Sequence, residues 1–132
     1  MQNFPKACVA AGHSAADCDA DFVPLHYYDI RTAHFKEYVT NFHTQTGKKI
    51  WVTEYADHSF NGEAQPDEGA TWAFHQEMAQ WFDEQDFVEF YMPFGVMRQM
   101  QGVTDTNRLM DSNGAITALG AWVSTLVTRI QS

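Results

Sequence analysis

Three times along this chain a short apolar and aromatic run gives way to a polar loop and then to residues of helical periodicity, and no other feature restricts the fold so tightly. Phe22-Val23-Pro24-Leu25-His26-Tyr27-Tyr28 closes on Asp29 and reads as a buried strand. Behind it Phe35, Tyr38, Val39 and Phe42 fall at i, i+3, i+4 and i+7, one face of a helix over 32–46 that Gly47 stops. Ile50-Trp51-Val52-Thr53, β-branched and aromatic, predicts a second strand ending at Glu54. A polar loop from Asp57 to Pro66 leads to a second helix over 67–84. Its stripe is Ala70, Ala73, Phe74, Met78, Trp81 and Phe82, with early acids suited to the positive end of the helix dipole. Phe87-Val88-Glu89-Phe90-Tyr91-Met92 is the third strand, broken at Pro93-Phe94-Gly95. Asn113-Gly114 marks a turn, and Thr117 is placed to cap a last helix along which Ile116, Leu119, Gly120, Val123, Leu126, Val127 and Ile130 recur. At the other end Phe4, Ala7, Cys8 and Ala11 share one side of what reads as the tail of a further helix.

Strands alternating with helices predict an α/β fold with parallel strands, which are normally covered on both faces. Three strands alone leave two long edges of unpaired backbone groups, a state natural proteins avoid. The pattern therefore points to a piece of a larger α/β domain; a compact three-layer mini-domain, or an oligomer that completes the sheet in trans, is the alternative. The 132 residues suffice for a single core, and 45% hydrophobic with 14% aromatic residues is too apolar for a disordered chain. Seventeen acidic against eight basic residues, a formal charge of −9, would repel a phosphate backbone, so nucleic acid is not an expected partner. No apolar run approaches the length of about eighteen residues that a membrane span needs. Met1-Gln2-Asn3-Phe4-Pro5 lacks a basic region followed by an apolar stretch, so no signal peptide is expected in this stretch. Cys8 and Cys18, ten apart, are without a CxxC or a matching histidine pair, which argues against zinc; spacing alone leaves one small-loop disulfide and two free thiols equally open.

Glu54 is the first candidate for chemistry. It ends a strand on the parity of Ile50 and Val52, so if those two face a barrel interior its carboxylate points inward at the carboxyl end of the strand, where ligands bind in α/β folds. The plain alternative is a surface glutamate at a strand exit. His26, Tyr27 and Tyr28 end the preceding strand, and consecutive parallel strands usually neighbour each other, so a histidine or tyrosine there can hydrogen-bond that carboxylate. The alternative for His26 is a core histidine bonded to a backbone carbonyl. Tyr55, Phe60, Tyr91 and Phe94 lie at or beyond strand ends, where flat apolar rings suit the C–H faces of sugars, whereas Trp72 and Trp81 fall at helical positions and read as core. His34, His43, His58 and His75 are scattered without an i, i+4 pair beside a carboxylate, so no metal site and no cofactor is expected.

Four blocks in order carry a resemblance: Asp21 to Tyr28, Trp51-Val52-Thr53-Glu54-Tyr55-Ala56, Tyr91-Met92-Pro93-Phe94-Gly95, and Asn107 to Gly114 with Thr117-Ala118-Leu119-Gly120. Together they resemble the alkali-sensitive-linkage-protein-like glycosyl hydrolase catalytic core of glycoside hydrolase family 128, over nearly the whole chain from Phe4. The resemblance implies a (β/α)8 barrel cleaving β-glucan, mainly β-1,3-linked, with retention through two glutamates. It implies that residues 1–132 are a partial catalytic domain holding strands six to eight of a barrel that is not closed, since a full barrel takes about 250 residues. By the same resemblance Glu54 stands at the nucleophile position, and His26, Tyr28, Tyr55, Tyr91 and Phe94 are the expected substrate-binding residues. An extracellular or cell-wall location and a polysaccharide partner are also implied, again with no metal or cofactor.

The family's general acid, a glutamate usually preceded by asparagine, has no counterpart in these residues. A retaining glycosidase needs its two carboxyl groups about 5–5.5 Å apart, so the expected function is that of an endo-β-1,3-glucanase portion that carries the nucleophile without the acid/base. A non-catalytic β-glucan-binding or structural remnant is the alternative. A third reading takes a local second carboxylate, with Glu89, Asp57 or Glu63 as candidates.

Overall fold

A computed structural model of the chain describes residues 4–127. Helix α1 (Phe4–Ala10) precedes three strand–helix units: strand β1 (Phe22–Asp29) with helix α2 (Thr32–Thr46), strand β2 (Lys49–Asp57) with helix α3 (Glu68–Asp83), and strand β3 (Val88–Pro93) with helix α4 (Ala118–Val127). A 3-10 turn, Asp105–Asn107, interrupts the long connection to α4. The strands form one parallel sheet in the order β1-β2-β3, with β2 in the centre. The α/β class, the parallel strands and the open sheet are as the sequence predicts.

The helix boundaries follow local chemistry. Helix α2 ends where Gly47 takes a left-handed conformation (φ 66) and donates its N–H to the His43 carbonyl at 2.7 Å. Helix α3 starts where the Asp67 carboxylate accepts the Ala70 N–H at 2.8 Å. Thr117 caps α4: its hydroxyl oxygen accepts the Gly120 N–H at 3.0 Å, and the hydroxyl donates to the Arg108 carbonyl at 2.6 Å. Ile116, expected on the apolar face of that helix, lies outside it, exposed and in an antiparallel bridge with Met110. Ile130 falls outside the described residues. Helix α1 has no buried residue, and a Cys8–Cys18 disulfide ties it to the segment before β1.

The larger of two buried clusters lies on one side of the sheet. Val23 and Leu25 of β1 and Ile50, Val52 and Tyr55 of β2 interlock with Phe35 and Val39 of α2 and Phe74, Met78 and Phe82 of α3. Among the described residues the other side carries no helix. There Phe22 stacks on Trp51 (centroids 3.7 Å apart) and Trp51 meets Phe90 edge-on at 4.8 Å, while Phe90 and Met92 of β3 remain 45% and 44% exposed.

Two irregularities break the strand alternation, and the first is central to the site. Leu25 pairs with Val52 but His26 pairs with Glu54, so Thr53 is an extra residue in β2. Its hydroxyl donates to the Leu25 carbonyl at 3.3 Å. Ile50 and Val52 thus lie under the helices, contrary to the expected barrel-interior position, and the bulge shifts the parity so that Tyr55 lies there too. Likewise Ile50 pairs with Val88 and Trp51 with Phe90, leaving Glu89 as the extra residue of β3.

A Cβ on Gly120 would overlap the Leu109 carbonyl oxygen and meet Ile116 Cγ1 at 3.0 Å, so α4 sits against segment 108–110 through bare backbone. In an open helix, alanine in place of glycine gains roughly 0.5–1 kcal/mol. Here Gly120→Ala should cost about 1–3 kcal/mol, read as a lower urea midpoint at unchanged slope; a raised midpoint would mean that α4 is free of that segment.

Candidate active site

The carboxyl ends of β1 and β2 meet on the helix-free face. Because of the bulge at Thr53, Glu54 points to that face instead of following Val52 under the helices. Tyr28, two residues past the register partner of Glu54, donates its hydroxyl to Glu54 Oε2 at 2.7 Å. His26 Nδ1 lies 3.3 Å from the same oxygen. Burial, reinforced by the hydrogen bond and charge of Glu54, pushes the Tyr28 phenol well above its ordinary value, so it stays protonated and remains a donor. Two groups from one strand therefore hold a carboxylate from the next in a fixed orientation while it stays partly open to solvent.

Aromatic rings flank this acid. Tyr28 makes T-shaped contacts with Phe94, at 5.8 Å, and with Phe60, at 5.5 Å. Phe94 is fixed by its N–H donating to the Tyr55 carbonyl at 2.9 Å and packs with Tyr28 and Met97 against Ala56, Met100 and Val103. Phe60, in the loop after β2, is 62% exposed.

Of the residues expected from sequence, Glu54, His26, Tyr28 and Phe94 come together. Two do not. Tyr55 is fully buried, its ring packed among Phe35, Phe74, His75 and Phe82, and burial drives its phenol far above the ordinary value. A strand alternates its faces, so Tyr55 must turn under the helices once its neighbour Glu54 faces the open side. Tyr91 is also on the helix side: its ring stacks on Phe82 at 4.9 Å and its hydroxyl donates to Asp83 at 2.8 Å. The second irregularity places Val88 and Tyr91 together on that side and exposes Phe90 and Met92 instead.

The three local carboxylates considered as partners are engaged elsewhere. Glu89 accepts from Trp51 Nε1 at 2.8 Å. Glu63 is bound by Arg31 and Ser59. Asp57 is buried on the helix side beside α3, and that burial raises its carboxyl to about 6 despite a hydrogen bond from Thr71.

A buried frame that sequence reasoning missed holds the end of β2. The Asn107 side chain clamps the Asp57 backbone, accepting its N–H at 3.0 Å and donating to its carbonyl at 2.9 Å. Since Asn107 Oδ1 is an acceptor, His75 Nε2, 2.9 Å away, carries a proton and donates to it. Burial lowers the His75 imidazole to about 4, which keeps it neutral. His58 Nδ1 accepts the Thr104 N–H at 3.1 Å, a second tie between the loop after β2 and the long connection before α4. The one sequence signal was His75 itself, a polar residue on the apolar stripe of α3 between Phe74 and Met78, which demands a buried partner.

Residues 1–123 match the family described as Glycosyl hydrolase catalytic core. A comparison with curated proteins finds no match. Among solved structures, a GH128 subgroup V exo-β-1,3-glucanase from Cryptococcus neoformans superposes with a TM-score of 0.76 at 28% identity, over 80% of this chain and 43% of that one. A subgroup VI exo-β-1,3-glucanase from Aureobasidium namibiae gives 0.72 at 27% identity, over 80% and 42%. A subgroup I endo-β-1,3-glucanase from Amycolatopsis mediterranei, in complex with laminaritriose, gives 0.72 at 21% identity, over 94% and 50%, a likeness of fold. The chain spans half or less of the length of these relatives.

Asp57 and His75 pull the pH dependence of stability in opposite directions. Folded Asp57 takes up a proton near 6, before the unfolded chain does, so acidification favours the fold through it. His75 resists protonation until about 4 while its unfolded form protonates near 6.5, so acidification opposes the fold through it. Asp57→Asn removes the first effect alone. Its urea midpoint should therefore fall more steeply than the parent's from about pH 7 to about pH 4.5, and parallel curves would show that Asp57 titrates normally.

Proposed function

Because the chain belongs to the glycosyl hydrolase catalytic core family, we propose that it forms the nucleophile-bearing half of a retaining β-1,3-glucan hydrolase. Its strands β1 to β3 take the places of strands six to eight in a barrel whose other strands supply the acid/base. One observation carries this reading: a single carboxylate, Glu54, stands at the carboxyl end of the central strand on the helix-free face, with a tyrosine hydroxyl donated to it at 2.7 Å. Catalytic side chains of (β/α)8 enzymes occupy that end of the strands.

In this role Glu54 attacks the anomeric carbon and forms a glycosyl-enzyme bond as the glycosidic oxygen leaves. The acid/base of the completed barrel protonates that oxygen and then takes a proton from the water that frees the sugar. Tyr28 and His26 orient the nucleophile, and Phe94 and Tyr28 offer ring edges beside the sugar. The Cryptococcus and Aureobasidium relatives, named as exo-β-1,3-glucanases, support the substrate class. As to mode of attack, the two relatives above a quarter identity are named exo-acting and the endo-acting one shares 21%, so exo attack has the stronger support, against the endo mode expected from sequence. The Cys8–Cys18 disulfide accords with an extracellular or wall location.

For the 132-residue chain alone, the engagement of Glu89, Asp57 and Glu63 away from Glu54 favours glucan binding without cleavage, so it should be retained on insoluble β-1,3-glucan and release no reducing ends. In a protein completed with the remaining strands, Glu54→Gln should lower kcat by at least about a thousandfold while binding persists. Tyr28→Phe, which deletes a charge-assisted hydrogen bond, should lower kcat by about 10- to 100-fold with little change in KM. Near-parental hydrolysis by Glu54→Gln would refute the assignment.

A further inference from the structure

The loop joining β2 to α3 follows Glu54 by only a few residues and carries a large apolar ring into solvent. Phe60 is 62% exposed, yet it is held in place: it meets Tyr28, the donor to Glu54, at 5.5 Å and His58 at 4.2 Å, both T-shaped. A surface loop with Gly62 and Pro66 and no regular structure would ordinarily wander. This one is tied at both ends of a short span. The Gln65 side chain bridges the Ser59 backbone, its oxygen accepting the Ser59 N–H at 3.2 Å and its amide donating to the Ser59 carbonyl at 2.7 Å. The Ser59 hydroxyl donates to Glu63 at 3.0 Å and accepts the Asn61 N–H at 3.2 Å. Those bonds flank Phe60 on either side.

An ion pair joins this self-bonded loop to the end of β1. Arg31, just after β1, donates to both oxygens of Glu63, from Nη1 at 2.6 Å and from Nη2 at 3.4 Å. Arg31 is itself pinned, with Nη2 3.1 Å from Asp29 Oδ1 and Nε donating to His34 Nδ1 at 3.0 Å. Asp29 is the last residue of β1 and accepts the backbone N–H groups of Ile30 and Arg31 and the Tyr27 hydroxyl. A line of charge-assisted bonds thus runs from the end of the strand that bears Tyr28 to the loop that bears Phe60. Arg31 and Glu63 are 41% and 37% exposed, and a pair that open contributes little to stability. Its geometric effect is larger, because it fixes the height of the loop over the carboxyl ends of the strands.

We propose that the Arg31–Glu63 pair is a positioning clamp that holds Phe60 against Tyr28, so that the Phe60 ring serves as a wall for the apolar face of a glucosyl unit beside Glu54. The wall rests on the glucan reading given above; the clamp itself does not. Exposed aromatic rings match the C–H face of a pyranose, and a ring held before the sugar arrives spares the ordering entropy that a mobile loop would lose on binding.

The test uses the chain itself with laminaritriose as probe. Glu63→Gln should leave the urea midpoint near the parent's, weaken the nuclear Overhauser contacts between the Phe60 and Tyr28 rings, and raise the Kd for laminaritriose by about threefold to tenfold. Phe60→Leu should raise Kd to a similar extent, and adding Glu63→Gln to it should do nothing further, since both act through one ring. Unchanged ring contacts in Glu63→Gln would overturn the clamp. Lost contacts with unaltered affinity, or additive effects in the double variant, would overturn the wall. A parent chain that binds no laminaritriose would count against the glucan reading, and the ring contacts would still decide the clamp.

Discussion

Between Val52 and Glu54 the central strand carries one residue more than its neighbour, and the position of every group in the candidate site depends on that surplus. With regular alternation, Glu54 would follow Ile50 and Val52 beneath α2 and α3, where an unpaired carboxylate costs several kcal/mol or gives up its charge. The bulge at Thr53 reverses the order. It sends Glu54 to the helix-free face and Tyr55 into the core, so the charged group meets solvent and donors while the apolar ring fills the space among Phe35, Phe74 and Phe82. The strand loses one step of its ladder, which the Thr53 hydroxyl partly restores through the Leu25 carbonyl.

The two faces of the sheet then divide the work. Beneath the helices, aromatic rings pack against one another, and a buried polar pair fastens the end of β2: Asn107 grips the Asp57 backbone and His75 donates to Asn107. That grip lies three residues beyond Glu54 and is shielded from water, so it holds the strand end without competing for the carboxylate. On the open face the apolar residues Phe90 and Met92 and the Phe22–Trp51 stack have no helix over them. Covered on one face only, the sheet departs from the usual parallel arrangement and suits one wall of a barrel.

Much of this was legible from the residues. The helix over 32–46 matches its observed bounds, and the caps at Gly47 and Thr117 occur where the sequence places them, because those signals are local; Asp67, read as the first residue of its helix, is the cap instead. Parity was not. The periodicity of Ile50, Val52 and Glu54 suggested one shared inward face; the first two lie under the helices and Glu54 faces the other way. Nothing local announces a bulge, since it is a property of register between two strands. The same blindness misplaced Tyr55 and Tyr91, which share strand ends with site residues but project to the opposite side. Ile116 went astray for another reason: it keeps helical spacing with Leu119 and Gly120, but the Asn113-Gly114 turn draws it into a bridge with Met110 before the helix can begin.

Stability and placement are carried by different interactions in this chain. The residues that hold the fold together are buried rings and aliphatics indifferent to the identity of a ligand, while the groups around Glu54 are joined by hydrogen bonds and ion pairs that stay partly in water. Such bonds contribute little net free energy because water competes for both partners. They still fix direction, and here they fix the direction of the Glu54 carboxylate. The acid is accordingly reached through a succession of oriented contacts: Asn107 and His75 hold the strand end, Tyr28 and His26 hold the carboxylate, and Arg31 and Glu63 hold the loop over it. These groups are spread over several elements, so a shift of one strand relative to another reaches Glu54 as a change of angle before it becomes a loss of fold.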